Sequence, residues 1–185
     1  CIMLAVFMGK VLKKKTAVAG DEVTYSLMLR QMQKASAIQH KGIASRHAYS
    51  MDGIDYYCGI RDEDIGILRQ KYDVIILDIS FENTFDNTNV TFARMVSRLS
   101  ACDEKILAGS MLPWKSRECE KKMERIERFL DIRGLKMVTL AACDKEAVSI
   151  IKKHGVEVVL IPFERNPFVI SGENLRSFLE LLKIT

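Results

Sequence analysis

A chain of 185 residues can remove about 70% of its unfolded surface from water, so it needs no staples, and its length suits one domain, 1–185. An apolar share of 48% beside 28% charged residues excludes a disordered or fibrous chain. The net charge of +4 gives no strong nucleic-acid signal, and no run reaches the ~18 apolar residues of a membrane span.

The opening run "CIMLAVFMGKVL" (1–12) lacks the basic start and small-residue cleavage site of a signal peptide and reads as a helix. The basic turn "KKK" that follows suits the negative pole of that helix. "KTAVAG" (15–20) is the first of five short apolar runs without alternation, the pattern of strands covered on both faces. Tyr25, Met28, Leu29 and Met32 recur at helical spacing. Residues 42–59 break the pattern: "MDG" lies between two β-prone runs and predicts a hairpin at a sheet edge. There Tyr56 and Tyr57 alternate faces, so one is expected in the core and the other in water. The second run is "YDVIILDIS" (72–80), followed by the stripe Val90, Ala93, Val96 and Leu99.

"EKILAGS" (104–110) is the third run, and Cys119, Met123, Ile126 and Leu130 form the next helix. "KMVTLAA" (136–142), a short helix on Ala147, Val148 and Ile151, "VEVVLIP" (156–162) and a last helix on Leu175, Phe178, Leu179 and Leu182 close the chain. Ser171 is placed as the N-cap of that helix. Alternating strands and helices call for a mostly parallel sheet with helices on both faces. Five cysteines without a C-x-x-C pair make neither a zinc site nor a disulfide framework, and reduced thiols point to the cytoplasm.

In open parallel sheets ligands bind beyond the carboxyl ends of strands. Those positions hold Asp21 and Glu22, Asp78 and Ser80, Ser110, Cys143 and Asp144, and Pro162, Phe163 and Glu164. The carboxylate that stops "VIILD", Asp78, must be solvated or paired. It can hold Mg²⁺ directly or through water, or merely cap the next turn. Trp114, the only tryptophan, follows Pro113 in an expected loop, either as an exposed partner anchor or packed over a helix end. His40, His47 and His154 are scattered, and surface or packing roles outweigh a metal site.

The order of these segments resembles the ParA/MinD-type P-loop ATPases. The helix "CIMLAVFMGKVL" is similar to the one that follows the phosphate loop in that family, and "KKTAV" to the next strand. "YDVIILD" resembles its Walker B strand, which implies that Asp78 binds Mg²⁺ through water. "CDEKILAGSMLPW" and "KMVTLAACD" resemble the following strands. "VEVVLIPFERNPFVISGENLRSFLELL" is similar to the closing strand, adenine loop and last helix, which implies adenine contacts from Pro162 and Phe163. "GIDYYCGI" before "YDVIILDIS" resembles the divergent Firmicutes branch similar to the Tad pilus-localisation ATPase. The resemblance implies ATP and Mg²⁺ as cofactors of the intact protein and a positional role with a protein partner or a homodimer.

The departures are as specific. No G-x-x-x-x-G-K-[ST] motif occurs in the 185 residues, so nothing is expected to cradle the phosphates, and ATP hydrolysis is not expected of this chain alone. The acidic switch position is Ala19, with Asp21 two residues on as the possible catalytic acid. An N-terminally truncated family member is the expectation, with exposed strand edges where the loop-bearing strand belongs. The rival is a response-regulator receiver with Asp78 as phosphoacceptor, for which a five-stranded 2-1-3-4-5 sheet is expected. "IPF" then stands where that family's lysine-proline pair is expected.

Overall fold

In the computed structural model the described residues are 1–20, 36–38, 43, 47–79, 89–110, 113–132, 134–140 and 144–184. They divide into two compact units, Cys1–Asn87 with Asn166–Ile170, and Thr88–Arg165 with Ser171–Thr185. The stripe at Tyr25–Met32 lies outside the described residues, as do Asp21, Glu22, His40, Ser80 and Cys143.

The first unit is built on a five-stranded sheet in the order β2-β3-β4-β1-β5. Its strands are β1 Thr16–Gly20, β2 Ser36–Ala37, β3 His47–Met51, β4 Ile54–Cys58 and β5 Val74–Leu77. β1 runs parallel to β4 on one side and to β5 on the other. β3 and β4 form the antiparallel hairpin expected from "MDG", turning on Asp52 (φ 55°) and Gly53 (φ 78°), both left-handed. β2 pairs with β3 on the far side, so β4 is interior and the small strands form that margin.

Period-two alternation sends β1 to both faces. Val18 joins Ile54, Tyr56 and Ile76 under Ala5 and Val6 of helix α1, Ile2–Val6. Ala17 and Ala19 join Tyr57 and Tyr72 under Leu68 of helix α2, Asp62–Arg69. Helices therefore cover this sheet on both faces. Tyr56 and Tyr57 are each only 1% exposed, which overturns the expectation that one of them meets water. Burial of both follows from this double cover: alternate positions face different cores rather than core and solvent.

α1 continues as a π-helical turn over Phe7–Val11. Gly9 sits in it because a Cβ would come within 2.9 Å of the Ile54 side chain. That close approach seats the wide turn on β4.

The second unit holds a parallel three-stranded sheet, β6 Ile106–Gly109, β7 Lys136–Thr139 and β8 Glu157–Leu160, with β7 central. Its helices are α3 Asn89–Ser100, α4 Pro113–Glu127, α5 Asp144–His154 and α6 Gly172–Leu182. Cys119, Met123 and Ile126 are buried along α4, three and four residues apart, as their spacing predicts. α4 lies tight on β6: a Cβ at Gly109 would stand 2.7 Å from both the Cys119 Sγ and the Met137 Cε. Ser171 caps α6, its Oγ accepting from the Asn174 N–H at 3.2 Å. Among the described residues β5 ends one sheet and β6 ends the other.

Candidate functional site

The carboxyl end of β5 carries the residue read from sequence as the chief candidate. Asp78 is the first residue past the strand, half-buried, and its N–H donates to the Ala19 carbonyl at 2.8 Å, extending the β1–β5 ladder by one rung. The apolar run stops there because a carboxylate needs polar surroundings. The Asp78 carboxylate lies close enough to the Cys1 nitrogen, at the start of α1, for its charge to be felt there.

That arrangement fits one function of a strand-end carboxylate, to supply a single oxygen to a hard cation. Among the described residues no group of three or more His, Cys, Asp or Glu could hold a metal ion. Mg²⁺ commonly takes only one or two carboxylates and completes its shell with waters and substrate phosphates. Asp78 alone is compatible with Mg²⁺ on those terms and insufficient for an all-protein cage.

The opposite end of the same sheet carries a buried polar relay that sequence reasoning missed. The Tyr72 O–H donates to Asp55 Oδ2 at 2.5 Å, which leaves the Tyr57 O–H to donate to the Tyr72 oxygen at 2.6 Å. Lys15 lies over the Tyr72 ring, 5.3 Å from its centroid. Burial first, then the hydrogen bonds with Asp55 and Tyr57, push the Tyr72 hydroxyl pKa far up. Burial also raises Tyr57, against a lowering contribution from the Tyr72 hydrogen bond. Burial, followed by the Asp52 charge, raises Tyr56, whose hydroxyl has no hydrogen-bond partner among the described residues. Tyr57 and Tyr72 are 15 residues apart, and no local spacing foretells their meeting.

In the second unit Pro162 is half-buried, and Phe163 stands 74% exposed beyond β8. Trp114 is not in a loop as expected: α4 begins at Pro113, which suits a first helical position, and Trp114 is its second residue. Its side chain lies outside those described. Ser110 accepts a long hydrogen bond, 3.6 Å, from the Cys119 thiol to its carbonyl. His154 is buried against Glu127, Nδ1 to Oε2 at 3.2 Å, a packing role consistent with the scattered histidines. No described helix is long and apolar enough to cross a membrane.

No family model and no curated protein matches the chain. Solved structures do. The MinD cell division protein of Aquifex aeolicus matches with a TM-score of 0.65 at 12% identity, over 100% of this chain and 92% of that one. The MinC:MinD cell division protein complex of Aquifex aeolicus matches with a TM-score of 0.66 at 12% identity, over 100% and 91% respectively. At that identity the likeness shows the fold alone: a MinD-like, mostly parallel α/β architecture.

Proposed function

We propose that this chain is a ParA/MinD-like ATPase-fold domain, 1–185, with a positional or regulatory role exercised by binding a protein partner or a second copy. The observation that carries the reading is the position of Asp78. An apolar strand of a MinD-like fold ends on a carboxylate at the start of α1, where a Mg²⁺-nucleotide would meet both. In this reading Asp78 holds Mg²⁺ through water, Asp21 is the acid nearest the switch position, and Pro162 and Phe163 face the adenine. Trp114 is a candidate partner anchor. Bound Mg²⁺ would neutralise phosphate charge, while Asp78 would only orient its shell. The motif "GIDYYCGI" favours the Tad-like branch, and the MinC:MinD neighbour is in keeping with partner binding.

The chain has no G-x-x-x-x-G-K-[ST] loop, so we assign it no ATP hydrolysis by itself. The receiver alternative finds less support, because the five-stranded order runs 2-3-4-1-5 and includes an antiparallel hairpin.

Calorimetry with Mg-ATP tests the reading on this chain and on one extended upstream through its open reading frame. Binding by the extended chain alone is expected, weakened at least tenfold by Asp78→Asn when Mg²⁺ is present and unchanged by that substitution in EDTA. Silence from both chains, or phosphorylation of Asp78 by acetyl phosphate, would sink it.

A further inference from the structure

The amino ends of β1 and β5 carry a basic margin that the proposed function does not use. Both strands run the same way, so this margin lies at the opposite end of the first sheet from Asp78. The π-helical turn closes there. Lys13, left-handed at φ 56°, turns the chain so that the Lys14 N–H donates to the Met8 carbonyl at 3.0 Å. Helices usually give that ending position to glycine, because a Cβ strains it. A second lysine, Lys183, holds the same conformation where α6 ends, and its ammonium reaches Glu157 at 3.3 Å. Lys13 and Lys14 are exposed, and neither ammonium has such a partner among the described residues. The charges around them are engaged. Lys10 holds Asp52 at 2.6 Å, the Lys15 N–H donates to Asp73 at 2.8 Å, and the Lys15 ammonium lies over the Tyr72 ring. Val11 stands 41% exposed between Lys10 and the lysine run. Strain at Lys13 thus sets out two unpaired ammonium groups beside a bare apolar side chain, where glycine would end the helix more easily.

We infer that this margin is a docking surface for a short acidic segment of a protein partner, with carboxylates flanking one apolar residue. The carboxylates meet Lys13 and Lys14, and the apolar residue covers Val11. Charge complementarity and the size of the patch select this occupant. Salt-sensitive nucleic-acid binding draws on about 6–10 phosphate contacts, far more than two unpaired lysines offer. A lipid surface is held by a broad apolar face, and one valine is too small for that. Docking here needs neither nucleotide nor Asp78, so it stands or fails apart from Mg-ATP binding. Its loss would leave Trp114 as the candidate anchor of the proposed function.

The test is an NMR titration of the full chain at low salt and without nucleotide. The probe is the synthetic peptide EEIEE, and its controls are QQIQQ, which lacks the charges, and EEQEE, which lacks the apolar residue. EEIEE should shift the amides of Val11, Lys13 and Lys14 to saturation, and each control should bind more weakly. Lys13→Gly removes one charge and the strain together. It should weaken EEIEE about threefold while raising the thermal midpoint by about 2 °C, so a misfolded variant cannot mimic the result. Adding Lys14→Gln should weaken the peptide about tenfold, and Lys13→Arg should keep its affinity. The inference is overturned if EEIEE shifts none of these amides, if QQIQQ matches it, or if the Lys13→Gly/Lys14→Gln chain binds it as the parent does. A Lys13→Gly chain no more stable than the parent would also overturn it. So would tighter engagement of the same amides by phosphatidylserine vesicles or by a DNA duplex, each of which names a different occupant.

Discussion

The two sheets solve the same problem with different materials. In the first unit β1 offers alanines on one face, and the space above them is filled by Tyr57, Tyr72 and Leu68. In the second unit Met137 of β7 and Cys119 of α4 close over Gly109, and Met123 and Ile126 are buried along the same helix. Small strand residues under rigid aromatics leave few ways to repack, whereas thioethers and thiols adapt to irregular gaps. The margins differ as well. The first sheet buries its polar groups in the Asp55–Tyr72–Tyr57 relay. The second pairs a buried lysine of its central strand, Lys136, with Glu104 at 2.8 Å, and ties two of its helices at the surface through Lys153 and Glu124 at 2.6 Å. Tight packing should therefore make the first unit the more sensitive to substitution.

The two units can be read separately. All five tyrosines (25, 49, 56, 57 and 72) lie in the first unit and the single tryptophan, Trp114, in the second. The largest loss is expected for Leu68→Ala. Leu68 is 0% exposed under the β1 alanines, and its truncation should cost about 2–5 kcal/mol. Tyrosine absorbance and Trp114 fluorescence should then shift to one lower denaturant midpoint, as the proposed single domain requires. Separate midpoints would show two independently unfolding regions.

Next in size is Tyr72→Phe. It removes the donor to Asp55 and the acceptor of Tyr57, a loss of about 1–3 kcal/mol. The low end is expected, because Asp55 and Tyr57 keep further interactions. The relay also sets a sign for pH. Burial holds Tyr56, Tyr57 and Tyr72 above their ordinary ionisation range in the fold. Their contribution is complete below the unfolded tyrosine value of about 10 and is lost as pH rises past it. Thermal melts from neutral pH into strongly alkaline buffers, above the unfolded tyrosine value of about 10, should show a steeper loss in the parent than in Tyr72→Phe. Equal slopes would mean that the relay does not titrate with the fold.

Strands were the legible part of this sequence because each is an unbroken apolar run with a polar stop. "VIIL" ends on Asp78 and "EVVL" leads into Pro162, where the ladders end. α2 was not read at all. Only Asp64 and Leu68 of its eight residues are buried, and Gly66 interrupts the stripe. The signal that could have found it is its opening, Asp62, Glu63 and Asp64 in one turn, with the Arg61 N–H donating to Asp64 at 2.9 Å. Asp78 was found from its place at a strand end. The relay was not, since it depends on the register that brings Asp55 level with Ala17 and on the return of the chain at Tyr72. Tyr56 and Tyr57 were misread for a related reason: alternation reports faces, and only the covering helices decide whether a face is wet.

The smallest effect is expected at the rim of the second sheet, where α5 is tied to α4. Lys153 reaches Glu124 at 2.6 Å, and His154 beside it reaches Glu127. The Lys153 hydrogen bond and charge hold the Glu124 carboxyl below its ordinary range, and Glu124 in turn raises the Lys153 ammonium. Glu124 then contributes only above the ordinary carboxylate range and loses that contribution as pH falls through its lowered value. Lys153 contributes below the ordinary lysine range and loses it as pH climbs through its raised value. The pair works at neutral pH and fails at both ends. Both side chains are nearly half exposed, so salt and chain entropy cancel most of the attraction. Lys153→Ala should move the Trp114-detected midpoint by no more than the limit of detection at physiological salt, and Glu124→Ala likewise. A drop approaching that of Leu68→Ala would reverse the comparison. The second unit would then depend on its charged rim as the first depends on its buried aromatics.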